Sequence, residues 1–271
     1  MRFTKMHALG NDFIVIDARE RKLTEPSEMA RKMCRRRFGV GADQMLVLEN
    51  SESADFRMLI YNADGSEVEM CGNGIRCIAK YIWDRMLSAN DSLAIETLAG
   101  IVRPSREGSL IRVDMGEPIL EGSLIPTKVE GRVVDHPLDV KDRKFLVTCV
   151  SMGNPHAVIF VDNVLDFPIV RYGPAIENNA MFPKRTNVEF IQVINRTELR
   201  MRVWERGAGE TMACGTGSCA SAVAAIIKNL TERKVTMHLK GGDLLIEWSE
   251  SDNRVYMTGP AEEVYDGETK N

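Results

Sequence analysis

No stretch of this chain is apolar over the ~18 residues that a membrane span requires. Its opening residues, Met1-Arg2-Phe3-Thr4-Lys5-Met6, pass straight into strand-like sequence without the apolar core of a signal peptide. Positive charge is also short. The 35 Lys and Arg stand against 39 Asp and Glu, a formal net charge of -4, whereas a nucleic-acid binder needs a basic excess on one face. One basic run, Lys32 with Arg35, Arg36 and Arg37, follows Pro26 in a segment that reads as helix, and a solvated helix face accounts for it. Close Cys-Cys pairs with a matching His or Cys counterpart, the usual signature of structural zinc, are missing, and no lysine-centred pyridoxal motif is visible. The expectation is a cytoplasmic protein without membrane, nucleic-acid or metal partners, whose six cysteines are thiols and not a disulfide framework.

What the chain does have is one short motif twice. Cys71-Gly72-Asn73-Gly74 and Cys214-Gly215-Thr216-Gly217 each open a segment that reads as helix, Ile75 to Leu87 and Ser218 to Leu230. A thiol at a Gly-rich helix start sits where backbone N–H groups and the helix dipole favour negative charge, so it tends toward thiolate beside an anion-binding site. The two cysteines are 143 positions apart, and the same interval links Gly10-Asn11 to Gly153-Asn154, Gln44 to Asn187, Asn62 to Glu205 and Glu67 to Glu210. Self-similarity at a fixed interval signals repeated architecture. With 271 residues the repeat is long enough to be a whole domain, at roughly 100–150 residues per domain.

Strand-like runs dominate both halves: Phe13 to Ile16, Met45 to Leu48, Phe56 to Tyr61 and Leu110 to Val113, then Phe145 to Val150, Ala157 to Val161, Val188 to Val193, Leu199 to Trp204, Val235 to Leu239 and Leu244 to Trp248. The helix after Cys214 is small and apolar on nearly every side, which marks it as buried and lets strands approach closely. The fold class expected is α+β, with two pseudo-symmetric domains, each a curled, mainly antiparallel sheet around one central helix. The Gly- and Pro-bearing stretch from Gly116 to Pro126 marks the boundary. Residues 1–115, completed by the tail 262–271, form the first half and 116–261 the second, with the active site expected in the cleft between them.

These motifs resemble diaminopimelate epimerases, cofactor-independent enzymes of bacterial lysine and peptidoglycan-precursor synthesis. The resemblance is carried by Gly10-Asn11-Asp12-Phe13, Asn62 to Glu67, Cys71 to Cys77, Gly153-Asn154-Pro155-His156, Thr186-Asn187, Glu205 to Thr211 and Ala213 to Gly217, in the family's order over essentially the whole chain. It implies interconversion of LL- and meso-2,6-diaminopimelate, no cofactor, and a homodimer. It further implies that Asn62, Asn187 and Arg206 bind the distal carboxylate and Glu205 the distal ammonium. Asn11, Gln44 and Asn154 would line the same cleft, and His156 and Glu205 would tune the thiols.

The chemistry asks for such a site. Inverting an α-carbon removes a proton from one face and returns one to the other, so two acid/base groups in different protonation states are the minimum. Cys71 and Cys214 are the candidates, and they would titrate as a coupled pair. Backbone N–H groups of Gly72, Asn73, Gly215 and Thr216 could grip the α-carboxylate and stabilise charge developing toward an aci-carboxylate. Cys77 and Cys219 read as packing residues, Cys34 and Cys149 as structural, and Glu67 and Glu210 as braces hydrogen-bonded to backbone. Two alternatives stand beside this reading. A two-cysteine proline or hydroxyproline racemase would leave Asn62, Asn187, Glu205 and Arg206 without a distal amino-acid end to satisfy. A non-catalytic thiol or metal-binding module would give no reason for the paired amides Asn11/Asn154 and Gln44/Asn187.

Overall fold

The apolar runs become strands because most of them are buried on both faces: Phe13 to Ile16 and Met45 to Leu48 are each no more than 1% exposed. Continuous apolar sequence, rather than alternation, is what inner strands of a covered sheet require. The computed structural model describes residues 1–269, which divide into two compact units, one from Met1 to Asp114 plus the chain from Thr258 on, the other from Met115 to Met257. Of the tail expected to complete the first half, residues 270 and 271 lie outside the described residues.

In the first unit the order is β1 (Arg2–Ala8), β2 (Asn11–Asp17), α1 (Pro26–Met33), β3 (Gln44–Glu49), β4 (Phe56–Asn62), β5 (Glu67–Val68), α2 (Gly72–Asp84), β6 (Ile95–Thr97), β7 (Gly100–Val102), β8 (Pro104–Glu107) and β9 (Leu110–Asp114). The second contains β10 (His136–Val140), β11 (Arg143–Ser151), β12 (Pro155–Phe160), α3 (Ile169–Glu177), β13 (Asn187–Asn195), β14 (Glu198–Glu205), β15 (Gly209–Glu210), α4 (Gly215–Ile227), β16 (Lys234–Leu239) and β17 (Gly242–Trp248). After β18 (Val255–Gly259), β19 (Glu262–Glu268) returns the chain to the first unit.

The 8 strands of the first sheet are repeated, strand for strand, within the 11-stranded second sheet. The first runs β19-β1-β2-β3-β4-β6-β7 with β5 on β4, and the second contains β10-β11-β12-β13-β14-β16-β17 with β15 on β14. Pairing senses match too: β2–β3 and β12–β13 are parallel, as are β4–β6 and β14–β16, while the hairpins are antiparallel. Register is preserved, since Phe13 pairs with Gln44 and His156 with Asn187. The fold is therefore α+β with mixed, mainly antiparallel sheets.

Inside each unit the central helix packs against the sheet, α2 on β1 to β4 and α4 on β11 to β14. Helix α4 shows why small residues matter: Ser218 to Ala225 are buried all round. The opposite sheet face is covered by α1 in the first unit, where Ala30 and Met33 join Ile14, Ile16, Met45 and Val47. In the second unit α3 does the same with Ile169, Tyr172 and Ile176. The sequence reading lacked α3, and it extended both central helices to Leu87 and Leu230. The helices end at Asp84 and Ile227 because Met86 and Asn229 take left-handed φ values of 53° and 55°. Leu87 N then bonds Ile82 O and Leu230 N bonds Ala225 O, which closes the ends with the same reversal. No helix among the described residues is long and apolar enough to cross a membrane.

Candidate active site

Each unit holds one half-site built at the start of its central helix. Cys71 is the N-cap of α2 with φ −139° and ψ 113°, and Cys214 is the N-cap of α4 with φ −130° and ψ 113°. Each sulfur accepts a hydrogen bond from the backbone N–H three residues on, Gly74 or Gly217, at 3.4 Å in both. The next N–H groups, of Ile75 and Ser218, bond the capping carbonyls. The helical ladder leaves over the first two donors of each helix, those of Gly72 and Asn73 and of Gly215 and Thr216. Two amides and a sulfur at a positive helix end make each half-site able to hold a carboxylate beside a thiol.

Glycine is needed where the loops come in. Gly10 and Gly153, with φ of 83° and 94°, turn the chain in the left-handed region and present Asn11 and Asn154 at the strand starts. In the first unit Asn11 Oδ1 accepts from Asn73 Nδ2 at 3.2 Å and lies 3.9 Å from Cys71 Sγ. Gln44 Nε2 donates to Asn62 Oδ1 across the β3–β4 pair at 2.9 Å, while Gln44 Oε1 is buried with no partner. In the second unit Asn154 Nδ2 donates to Thr216 Oγ1 at 3.3 Å and Asn154 Oδ1 faces His156 Nε2 at 2.9 Å. Asn187 donates to Pro155 O and accepts from Arg206 N at 2.9 Å. The Arg206 side chain is exposed and reaches Lys184 O. Glu205 accepts from Thr211 Oγ1 and from the Cys214 thiol.

Burial dominates the electrostatics of the buried thiols. Burial, and then the carboxylates of Glu205 and Glu189, push the Cys214 thiol well above its usual range. Burial also raises Glu205, against the hydrogen bonds from Thr211 and Cys214. Cys34 is pushed up to about 11, first by burial, and burial raises Cys77 and Cys149 as well. Those three are inert packing groups in character.

Several contributing residues escaped the sequence reading. Arg76 is fully buried and its guanidinium donates to Gly72 O, Asn73 Oδ1 and Pro260 O, which fixes the Asn73 carboxamide. Asp43 Oδ2 accepts from Asn11 Nδ2 at 2.9 Å. Glu189, also fully buried, holds His156 Nδ1 at 2.7 Å. Two expectations need correction. Arg36 is not on a helix face, because α1 ends at Met33; it clamps Asp12 and Asp43 instead. Glu210 braces its loop through Arg202 and Lys240 side chains, where backbone partners were expected.

Residues 3–121 and 148–264 match the family model described as Diaminopimelate epimerase. A protein of Moorella thermoacetica named Diaminopimelate epimerase is 54% identical over 275 residues, 99% of this chain and 99% of that one. One of Acetivibrio thermocellus with the same name is 52% identical over 274 residues, 99% of this chain and 98% of that one. Among solved structures, a PhzF-family phenazine biosynthesis protein of Bacillus anthracis shares the fold, with a TM-score of 0.73 at 20% identity over 100% of this chain and 99% of that one. Two motif-bearing segments that together take in both thiols, and full-length relatives at half identity, leave one assignment: this chain belongs to the diaminopimelate epimerase family.

Proposed function

We propose that this chain is an isomerase that interconverts LL-2,6-diaminopimelate and meso-2,6-diaminopimelate without a cofactor, in lysine and peptidoglycan-precursor synthesis in the cytoplasm. The observation that carries the reading is the matched pair of N-cap thiols, each accepting from its N3 amide at 3.4 Å with two first-turn donors left over beside it.

In this reading Cys71 and Cys214 act on one substrate α-carbon from its two faces. One cysteine, as thiolate, removes the α-proton, and the other, as thiol, returns a proton to the opposite face; in the reverse direction the roles exchange. The pair titrates as a unit. First-turn amides of Gly72, Asn73, Gly215 and Thr216 bind the α-carboxylate and stabilise the charge that develops toward the aci-carboxylate. Asn62, Asn187 and Arg206 take the distal carboxylate, Glu205 the distal ammonium, and Asn11, Gln44 and Asn154 line the site. The unpartnered, buried Gln44 Oε1 supports a donor arriving from substrate, because an unmet buried acceptor costs about 1–3 kcal/mol. His156 and Glu205 tune the thiols. The working form is a homodimer in this reading, which light scattering checks.

The test is incubation of the reduced protein with LL-diaminopimelate in deuterated water without added cofactor. The expected result is meso product carrying deuterium at the inverted α-carbon. Absence of both exchange and epimerisation would overturn the substrate assignment.

A further inference from the structure

Four hydrogen bonds in the second unit link the buried Glu189 to Cys214, and the last three share one direction. His156 Nδ1 meets the fully buried Glu189 Oε1 at 2.7 Å, and its Nε2 meets Asn154 Oδ1 at 2.9 Å. A carboxamide oxygen only accepts, so Nε2 carries a hydrogen and donates. The other end of that carboxamide then has to present Nδ2, which donates to Thr216 Oγ1 at 3.3 Å. Having accepted there, the Thr216 hydroxyl has its own hydrogen to give, and Cys214 Sγ lies 3.6 Å away. From His156 Nε2 onward each donor points toward the sulfur, and such chains polarise each member toward the end of the line.

The residues at the equivalent positions of the first unit cannot form the same chain. At the positions 143 residues earlier, Leu46 stands for Glu189, Phe13 for His156 and Asn73 for Thr216. The loop amide is held the other way: Asn11 Nδ2 donates to Asp43, so Oδ1 is what faces Asn73 and Cys71. The duplicated frame is thus the same and the hydrogen-bond polarity at the two thiols is opposite.

We propose that the Thr216 hydroxyl is the hydrogen-bond donor that supports the Cys214 thiolate during turnover, and that Glu189 and His156 are positioning residues that aim it through Asn154. This rests on the reading of Cys214 as an acid/base group and adds to it the residue that offsets its unfavourable surroundings. The groups that face this thiol otherwise work against the charge: Glu205 from β14 and Glu189 from β13. The Gly217 N–H and the Thr216 O–H work in its favour.

The experiment follows ionisation of Cys214 directly, as the pH of half-maximal alkylation by iodoacetamide read from peptide masses, with Cys71 in the same digest as reference. Thr216→Val keeps the backbone N–H and removes the hydroxyl. It should raise the Cys214 midpoint by up to about one pH unit, the worth of one hydrogen bond. Thr216→Ser should restore it, and the Cys71 midpoint should not rise with it. The paired change His156→Phe with Glu189→Leu imports the residues that the first unit holds at the same places. In that background Thr216→Val should have little further effect, because nothing aims the hydroxyl; if the paired variant does not fold, Asn154→Ala interrupts the same chain at a half-buried loop position. Equal Thr216→Val shifts in both backgrounds, no shift at all, or a matching shift of Cys71 would overturn the proposal. Alkylation needs no turnover, so the two readings separate. A wild-type protein that shows this coupling but does not epimerise diaminopimelate contradicts the functional assignment alone, and one that epimerises with additive shifts contradicts the relay alone.

Discussion

The two N3 glycines occupy equivalent places, so changing each to alanine isolates what differs between the half-sites. A Cβ on Gly74 would come 3.1 Å from Leu46 Cδ2 and 3.4 Å from Cys71 Cβ. The apolar leucine end is also buried, but it has to yield only a few tenths of an ångström and gives up no hydrogen bond in doing so. A Cβ on Gly217 would come 2.7 Å from Glu189 Oε1 and 3.3 Å from Cys214 Sγ. Glu189 cannot retreat, since it is fully buried and that same oxygen holds His156. Both changes share the gain of up to about 1 kcal/mol that alanine brings to a helix over glycine. Gly74→Ala should then be near neutral, whereas Gly217→Ala adds an overpacking cost of about 1–3 kcal/mol. For units of this size the difference corresponds to roughly 2–4 °C per kcal/mol in the melting transition. Differential scanning calorimetry of both variants reads it out. Equal effects, or stabilisation by Gly217→Ala, would refute the claim that a fixed carboxylate stands against α4.

Three further outcomes are expected. Glu205→Gln removes a negative neighbour from the buried Cys214, so the pH at which this thiol ionises should fall, as measured by alkylation against pH. Although burial works against it, hydrogen bonds from Arg36 and Lys5 hold the Asp12 carboxyl well below its usual range. A depressed folded value stabilises above the unfolded carboxylate range and is lost as pH falls, so Arg36→Ala should cost on the order of 1 kcal/mol near neutrality and progressively less in acid, by urea unfolding at several pH values. Cys34, pushed up to about 11, contributes stability that is present below the ordinary thiol value and lost as pH rises through about 11. Cys34→Ala should therefore flatten the alkaline limb of stability, read by thermal melts at rising pH.

Much of this architecture was legible because the duplication offers each feature twice. The strands stood out where burial on both faces demands continuous apolar sequence, as at Phe13 to Ile16 and Met45 to Leu48. Helix α3 was missed, yet it begins at Ile169, 143 residues after Pro26 opens α1, so the repeat itself contained the signal. The early helix ends were hidden for a related reason. Asparagine tolerates the left-handed conformation that Asn229 adopts, but nothing about Met86 announces it. In the site, the cysteines, glycines and amides were readable as motifs because backbone geometry requires them at fixed spacing. Glu189 and Asp43 were not, because each acts through contacts between segments far apart in sequence, and Arg76 was not, because nothing in the motif shows that its guanidinium turns back onto Gly72 and Asn73 of its own helix. A charge inside the apolar run from Val188 to Val193, where the other copy has Leu46, was the clue available for Glu189.

The account stands on two thiols sharing one α-carbon, and the most direct test is the activity of the reduced Cys71→Ala and Cys214→Ala proteins on LL-diaminopimelate, each confirmed folded. Loss of epimerisation in both single variants is the predicted result; epimerisation at the wild-type rate by either one would contradict it.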